Sequence, residues 1–180
     1  AVAARSKCAS VSGIDISEIA VAEARERGVD AHVVNLNEEP APFADQSFDR
    51  ITCLDVIEHV FDPQQLVGEI ARLLRPSGVV LISTINLRYV KHILTILLRG
   101  RFPRTSADPG FDGGHLHYFT SRDVCELLLS HGLRPICARG MIPNRRLQLL
   151  RGAAGFWITR EFLAPGFIVL AARTRGLPTF

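Results

Sequence analysis

The sequence predicts an α/β fold with a mostly parallel sheet, and three observations support this prediction. Short β-like runs alternate along the chain with helical segments of about ten residues, which is the pattern of strands joined by helical crossovers. Residues 79–83 form an apolar run that is typical of a strand buried on both faces. The chain has 180 residues, 47% hydrophobic and 22% charged, so it can bury a sizeable core and is not disordered.

The first half of the chain predicts three strands and two helices. Residues 11–16 have the composition of a strand that ends in acidic Asp15. Ser17 then has the position of an N-cap for a helix over 18–27, which Gly28 ends. Further strands are predicted at 31–36 and 48–54, a loop at 37–47, and a helix at 64–74 that Pro63 begins.

The second half continues the alternation but is less regular. Residues 76–78 predict a turn into the strand at 79–83. Thr120 or Ser121 has the position of an N-cap for the helix that follows a long Gly/Pro/Asp loop. The remaining predicted elements are a helix at 87–99, a loop at 100–114, a helix at 122–131, a strand at 133–138, an irregular stretch at 141–165 and a strand at 166–172.

The charges are distributed unevenly along the chain. Residues 1–63 carry 5 Lys or Arg and 12 Asp or Glu, whereas residues 64–180 carry 16 and 6. The basic half suits an anionic substrate or a membrane surface, and a solvated basic face is the alternative. We predict no nucleic-acid partner.

The four cysteines indicate a reducing compartment. They are widely spaced and form no C-x-x-C pair, and Cys53 and Cys137 lie in apolar runs where a thiol behaves as a small hydrophobe. The longest apolar stretch, 79–98, contains polar and charged residues and does not read as a transmembrane helix. The sequence therefore predicts a cytoplasmic protein.

Polar residues close the predicted strands, where ligands bind in open α/β sheets. Asp15, Asn35, Asp55 and Asn86 each follow an apolar run. An acid in the position of Asp15 can accept hydrogen bonds from both hydroxyls of a ribose. The alternative is that Asp15 forms an Asx turn that leads into the Ser17 cap.

Four segments of the chain carry motifs in a recognisable order: GIDISEIAVAEAR, PFADQSFDRITCLDVIEHV, EIARLLRPSGVVLISTIN and DGGHLHYFTSRDVCELLLSHGL. Together they resemble class I S-adenosylmethionine-dependent methyltransferases, in the branch of small-molecule O-methyltransferases of the ubiquinone-pathway type. The resemblance covers about residues 10–140 and is specific because several motifs occur in order. It implies a Rossmann-like sheet with helices on both faces and an antiparallel last strand, S-adenosylmethionine as cofactor, and O-methylation of a small molecule.

The resemblance also implies a cofactor site. Asp15 would accept the ribose hydroxyls and Ile16 would pack on adenine. Asn35 stands where relatives place an acid near the adenine amino group, and its amide oxygen can still accept a hydrogen bond. The other implied cofactor residues are Leu36, beside the adenine, and Leu54 and Asp55, beside the methionine end.

One feature departs from the family pattern. Methyltransferases of this class bind the cofactor's carboxylate end with a glycine-rich loop after the first strand, and this sequence has no G-x-G. Residues 1–9 resemble the end of the helix that should follow that loop. We therefore expect a single methyltransferase domain, 1–180, that lacks its first strand, with an interruption or an unusual direct pairing between the strands near 11–15 and 49–54. The alternative is a degenerate, inactive binding or structural module.

The acceptor side is predicted from residues beyond the strand ends. His59 is the candidate general base toward a substrate hydroxyl, or else it only packs. The D-x-x-E-H grouping at 55–59 resembles the acid-and-histidine cluster of ubiquinone-type enzymes that binds a divalent ion, but we assign no metal site. His115 and His117 form an H-x-H without an obvious third ligand. The candidate substrate contacts are Asn86, His115 and Tyr118.

Residues 87–118 form an insertion that in this family covers the acceptor as a lid. Its helical part, within 87–104, is apolar with basic ends, so weak contact with an anionic membrane surface is a second interpretation. A helix packed on the domain is the third.

Overall fold

A computed structural model of the chain describes residues 10–105, 112–142 and 159–174, with the backbone alone at 159 and 160. The chain forms two compact units, 1–43 and 44–180. The predicted helix end at 1–9 and most of the irregular stretch at 141–165 lie outside the described residues.

The first unit is a parallel strand pair joined by a helix. Strand β1 (Ser12–Asp15) pairs in parallel with β2 (Asp30–Val33), and helix α1 (Glu18–Glu26) connects them. The side chain of Ser17 accepts a hydrogen bond from the Ala20 amide at 3.3 Å, so the predicted N-cap is confirmed. The unit's small core consists of Val21, Val29 and Ala31, with Val11 and Ala24 packed against it.

Strand β2 is shorter than the predicted 31–36. The Asn35 carbonyl accepts hydrogen bonds from the amides of Glu38 and Glu39, and the Asn35 side chain donates to the Glu38 carboxylate at 2.7 Å. These bonds close a turn, so the chain leaves the extended conformation after Val33.

The second unit contains a mixed four-stranded sheet. Its strands are β3 (Phe48–Leu54), β4 (Leu74–Ile85), β5 (Leu133–Met141) and β6 (Gly166–Arg173), in the order β3-β4-β6-β5. Strands β3 and β4 are parallel, whereas β6 is antiparallel to both β4 and β5. The prediction of an antiparallel last strand is confirmed.

The six described strands form two separate sheets. Among the described residues, neither β1 nor β2 pairs with β3, so the direct pairing that was one of the two expectations is not found. The described part of the chain thus contains no seven-stranded sheet.

Two helices of the second unit begin within one residue of their predicted starts, one at the predicted cap Thr120 and one at Asp62, a cap that the sequence analysis does not name. The Asp62 carboxylate accepts from the amides of Gln64 and Gln65 at 2.8 and 3.2 Å and starts α2 (Pro63–Leu73). Thr120 and Asp123 form a reciprocal capping box that starts α4 (Ser121–Ser130). Both helices pack on the sheet and contact each other.

Strand β4 begins five residues earlier than predicted. The turn expected at 76–78 lies inside the strand as an irregularity, because Phe48 is paired with Leu74 and Arg50 with Val79. Two residues of β3 therefore span five residues of β4, and Ser77 adopts a positive φ of 68° within this bulge.

The predicted helix at 87–99 is observed as α3 (Val90–Arg99), which ends at Gly100 with φ 56°. It starts later because the Leu87 amide donates to the Phe119 carbonyl and the Tyr89 amide closes a turn onto Asn86. No α3 residue is buried. Among the described residues, no helix has both the length and the apolar character that a membrane span needs.

Candidate active site

The carboxyl end of β3 is fixed to β4 by a short hydrogen-bond network. Asp55 has a positive φ of 53°, and its amide donates to the carbonyl and the hydroxyl oxygen of Ser83 at 3.2 and 3.0 Å. The Ser83 hydroxyl in turn donates to the Asp55 carboxylate at 2.8 Å. This network holds the turn that leads from the strand to Glu58 and His59.

Glu58 is a buried carboxylate at this end of the sheet, with 1% of its surface exposed. The Thr84 hydroxyl donates to its Oε2 at 3.0 Å. Burial raises the pKa of Glu58, and the nearby charge of Asp55 acts in the same direction. A buried acid that titrates above its ordinary range is common at sites of chemistry.

His59 and His115 are neighbours, with ring centroids 4.7 Å apart. The Nδ1 atom of His59 lies 3.3 Å from the Gly114 carbonyl oxygen. A carbonyl can only accept, so Nδ1 carries the proton and the lone pair is on Nε2. The segment that carries His115 is held there by the Glu58 carbonyl, which accepts from the amides of Leu116 and His117.

A second buried carboxylate stands behind His115. The Asp112 side chain is fully buried and accepts from the amide and the hydroxyl of Thr105 and from the Tyr118 hydroxyl, the last at 2.6 Å. The Thr105 hydroxyl oxygen lies 2.8 Å from His115 Nδ1. Burial, followed by the bond to Asp112, raises the pKa of Tyr118.

Glu58, His59 and His115 could hold a metal ion. One potential ligand atom from each lies within 4.8 Å of the others. The interpretation of His115 and His117 as a pair is not supported, because His117 Nε2 lies 3.3 Å from the Phe61 carbonyl instead. The side chains that could bind an ion together with His115 are on a different segment, at Glu58 and His59.

The Asn86 side chain bonds to main-chain groups and not to His59, His115 or Tyr118. Its amide nitrogen donates to the carbonyls of Glu161 and Ala164 at 3.0 and 2.9 Å, and its oxygen accepts from the Arg88 amide at 3.0 Å. Both amide hydrogens are used and the residue is buried. The predicted substrate contact at Asn86 is therefore replaced by a structural role, in which Asn86 ties the end of β4 to the segment before β6.

Asp15 is a predicted cofactor residue in the first unit. It forms the Asx turn that the sequence analysis gives as the alternative to ribose binding. Its Oδ1 accepts from the Ser17 amide at 2.8 Å, which is an Asx turn into α1. Ile16 is 65% exposed, and Asn35 and Leu36 are partly buried. The Asn35 oxygen accepts from the Asn37 amide at 3.2 Å, and one of its lone pairs remains.

The two cofactor residues of the second unit lie at the end of β3. Leu54 is 51% exposed, and the neighbouring Asp55 is also exposed. An apolar residue and a carboxylate at the end of a parallel strand suit a ligand with both apolar and cationic parts.

Sequence reasoning missed Asp112 and Thr105. Asp112 was read as part of a Gly/Pro/Asp loop, in which an acid is ordinarily solvated. Its positive φ of 57° and its four neighbouring donors are visible only in three dimensions. The one signal in the sequence is that Asp112 is the first residue of DGGHLHYFTSRDVCELLLSHGL, the last of the four segments that resemble the methyltransferase family.

Comparison with known proteins gives similarity to one family of enzymes. A family profile described as "Methyltransferase domain" matches residues 1–82. The Ubiquinone biosynthesis O-methyltransferase of Aromatoleum aromaticum is 41% identical over 95 residues, which are 49% of this chain and 40% of that protein. These similarities support a class I S-adenosylmethionine-dependent methyltransferase.

Two further proteins are similar to this chain, one in sequence and one in fold. The Ubiquinone biosynthesis O-methyltransferase of Aeromonas salmonicida is 32% identical over 130 residues, 69% of this chain and 54% of that protein. An S-adenosylmethionine dependent methyltransferase from Mesorhizobium loti has a TM-score of 0.65 at 18% identity, over 95% of this chain and 83% of that one. The chain spans about half the length of the curated relatives it matches.

Proposed function

We propose that the protein transfers a methyl group from S-adenosylmethionine to a hydroxyl of a small-molecule acceptor. The observation that carries the proposal is the pair of imidazoles, His59 and His115, at the carboxyl end of β3. The relatives named as ubiquinone biosynthesis O-methyltransferases support an oxygen nucleophile.

The residues implied for the cofactor fit it chemically. In the first unit, the Asp15 carboxylate keeps acceptor capacity for ribose hydroxyls besides its Asx turn, and exposed Ile16 offers an apolar surface to adenine. In the second unit, Leu54 and Asp55 are the residues that the family resemblance assigns to the methionine end. S-adenosylmethionine supplies an electrophilic methyl carbon on a sulfonium when it is bound.

His59 would accept the proton of the acceptor hydroxyl. Its Nδ1–H is directed at the Gly114 carbonyl, so Nε2 is the basic atom. Most of the remaining catalysis would be alignment of the hydroxyl oxygen with the methyl carbon. Tyr118 and His115 would contact the acceptor from the segment that follows Asp112.

The same side chains support a second mechanism for this reaction. Glu58, His59 and His115 offer one carboxylate and two imidazoles, a donor set suited to a divalent transition metal. A bound cation would lower the pKa of a coordinated hydroxyl, and His59 would then be a ligand and not the base. Sustained activity after exhaustive chelation would favour the base, and loss with recovery on metal return would favour the ligand set.

The proposal is tested with two variants of the intact protein. Asp15→Ala should weaken S-adenosylmethionine binding by about 1–3 kcal/mol in titration calorimetry, because charge-assisted hydrogen bonds are lost. His59→Ala should lower kcat by roughly 10²–10⁴ with little change in cofactor affinity. Asp30→Ala, which removes an exposed acid paired with His32, is the matched control for the first variant.

The outcomes separate the candidate functions. If the intact protein binds no S-adenosylmethionine, the inactive binding or structural module replaces the enzyme. Unchanged affinity in Asp15→Ala would remove that residue from the site. If His59→Ala loses only thermal stability while its turnover is intact, His59 is a packing residue.

We further propose that the chain is part of a single methyltransferase domain in which residues 87–118 cover the acceptor as a lid. A separate proposal is that the segment 87–104 contacts an anionic membrane surface weakly. Leu97 and Leu98 of α3 are 72% and 78% exposed, and basic residues flank them at Lys91 and Arg99. Leu98→Ser should reduce co-sedimentation with anionic vesicles, while neutral vesicles should bind neither form. Equal binding of the variant and the parent protein would refute this contact.

The compartment we propose is the cytoplasm. Cys53 and Cys137 are free thiols, as expected where thiols are kept reduced. Cell fractionation with an antibody against the native protein tests this, and recovery outside the cytoplasmic fraction and its membranes would refute it.

A further inference from the structure

The Asp112 carboxylate is buried completely, which is costly unless its oxygens are well bonded. Its Oδ1 accepts from the Thr105 amide, and its Oδ2 accepts from the hydroxyls of Thr105 and Tyr118, each at 2.6 Å. Asp112 also holds a left-handed backbone conformation, with φ 57°. Strain and a buried charge at one residue indicate a role beyond closing a loop.

The direction of these bonds can be traced to the ring of His115. A carboxylate only accepts, so the single hydroxyl proton of Thr105 is given to Asp112. The Thr105 oxygen can then only accept from His115 Nδ1, which lies 2.8 Å away. Asp112 Oδ2 is itself 3.5 Å from the same nitrogen and favours a proton there.

The consequence concerns the tautomer of His115. With Nδ1 protonated, the neutral ring has its lone pair on Nε2, the opposite of the tautomer that a free histidine prefers in water. The neighbouring His59 is held in the same tautomer by the Gly114 carbonyl. Both imidazoles of the pair therefore have Nε2 as the atom that can bind an electron-pair acceptor.

We propose that Asp112, acting through Thr105, is a positioning residue that fixes His115 in the Nδ1–H tautomer and thereby makes Nε2 available to a ligand beside His59 and Glu58. The ligand is an electron-pair acceptor, either the hydroxyl proton of an acceptor molecule or a divalent cation. The identity of this ligand rests on the proposed function, whereas the tautomer of His115 is argued from the hydrogen bonds alone. The Tyr118 hydroxyl serves as the second anchor of the carboxylate.

The test is a side-chain NMR measurement on the intact protein without cofactor or acceptor. Two-bond and three-bond ¹⁵N–¹H correlations distinguish an Nδ1–H ring from an Nε2–H ring. In the parent protein we expect Nδ1–H at His115. In Thr105→Val, which keeps the shape but removes the bridging oxygen, we expect the His115 signals to move toward the Nε2–H pattern, with those of His59 unchanged.

The variants are chosen so that misfolding does not obscure the result. Asp112→Asn should shift His115 in the same direction, and Thr105→Val covers the case in which Asp112→Asn does not fold. Thr95→Val, which removes an exposed hydroxyl bonded only to its own helix, is the matched control and should leave both rings unchanged. An Nε2–H ring at His115 in the parent protein, or an unchanged ring in folded Thr105→Val, would overturn the proposal.

A zinc titration of the same sample distinguishes the two ligands. Saturable shifts of the Nε2 resonances of both His59 and His115 identify a cation site, and Thr105→Val should then weaken zinc binding by about 10–100-fold. If zinc leaves both rings unshifted while an acceptor phenol shifts His115, the ligand is the hydroxyl. The tautomer is read before either addition, so failure of methyl transfer and failure of this proposal are separate results.

Discussion

Cys53 shows how burial controls the chemistry of a single side chain next to the candidate site. It lies in β3, one residue before Leu54, and is buried. Burial raises the pKa of its thiol to about 12, and the carboxylates of Glu58 and Asp55 act in the same direction. The thiol is therefore protonated at neutral pH, and it serves as a small core residue rather than as a nucleophile.

We expect Cys53 to resist alkylation in the folded protein. The rise in pKa from 9.0 makes its thiolate fraction on the order of 10³-fold smaller at pH 8. Site-resolved mass spectrometry after iodoacetamide treatment should show rapid labelling at exposed Cys137 and almost none at Cys53. In denaturant the two sites should label at similar rates, and fast labelling of Cys53 in the folded protein would contradict its burial.

At the residue scale, sequence reasoning recovered the members of the site that stand next to recognisable motifs. His59, His115 and Tyr118 are brought together as predicted, because they follow strand ends that a parallel pair places at one edge. Asn86 also follows a strand end, but its side chain donates to carbonyls of the segment before β6. The sequence could not distinguish these cases, because the partners of Asn86 are main-chain carbonyls about 75 residues away.

At the scale of elements, the bulge in β4 depends on Gly78. A Cβ atom at this position would lie 2.9 Å from the Arg75 carbonyl oxygen and 3.2 Å from that of Asp49. Both are main-chain atoms that cannot move without breaking the pairing of β3 with β4. We expect Gly78→Ala to destabilise the protein by about 1–3 kcal/mol in urea unfolding, as overpacking does elsewhere.

Gly68 in α2 is the matched control. A Cβ atom there would lie 3.5 Å from the His131 ring, an ordinary contact distance. Because alanine favours a helix interior over glycine, Gly68→Ala should stabilise the protein by up to about 1 kcal/mol. Equal effects of the two substitutions would show that the bulge tolerates a side chain.

The sequence predicted which elements exist better than it predicted their ends. The caps at Ser17, Asp62–Pro63 and Thr120 use local chemistry, so α1, α2 and α4 begin within a residue of the predicted positions. Strand β4 extends further than predicted, because the turn signal at 76–78 was absorbed by pairing with β3. Pairing partners are not visible in local composition, and they decide where strands start.

At the scale of the whole molecule, the buried acid Glu58 should reduce stability at neutral pH. Its pKa is raised above the ordinary value of 4.5, so the folded state binds its proton more tightly than the unfolded state does. The free energy of unfolding must then fall as the pH rises through the window between these two pKa values. Residues kept for chemistry often have such a cost.

Glu58→Gln tests this cost, because glutamine does not titrate and can still accept from the Thr84 hydroxyl. We expect the variant to melt at least as high as the parent protein at pH 7.5, with a gap that narrows as the pH falls toward 4.5. Glu126→Gln, on the exposed face of α4, is the control and should show no such trend. A gap that widens on acidification would show that the Glu58 carboxylate is stabilising.

The α/β architecture could be predicted from the sequence, because the alternation of strands and helices and the order of the motifs extend over the whole chain. The interruption between β1 and β3 was expected from a missing motif, and two sheets are observed. The buried polar groups behind the histidines were not accessible, since Asp112 and Thr105 pair across a loop whose composition predicts solvation.

The tie between Glu58 and the segment of His115 is made by main-chain atoms only. The Glu58 carbonyl accepts from the amides of Leu116 and His117, whatever side chain position 58 carries. The side chain at position 58 can therefore be changed while the backbone hydrogen bonds are kept. Glu58→Asp or Glu58→His would change the candidate metal-binding group at this position without releasing the neighbouring segment. A protein engineer could use this separation to introduce other metal-binding side chains at position 58 on an unchanged backbone.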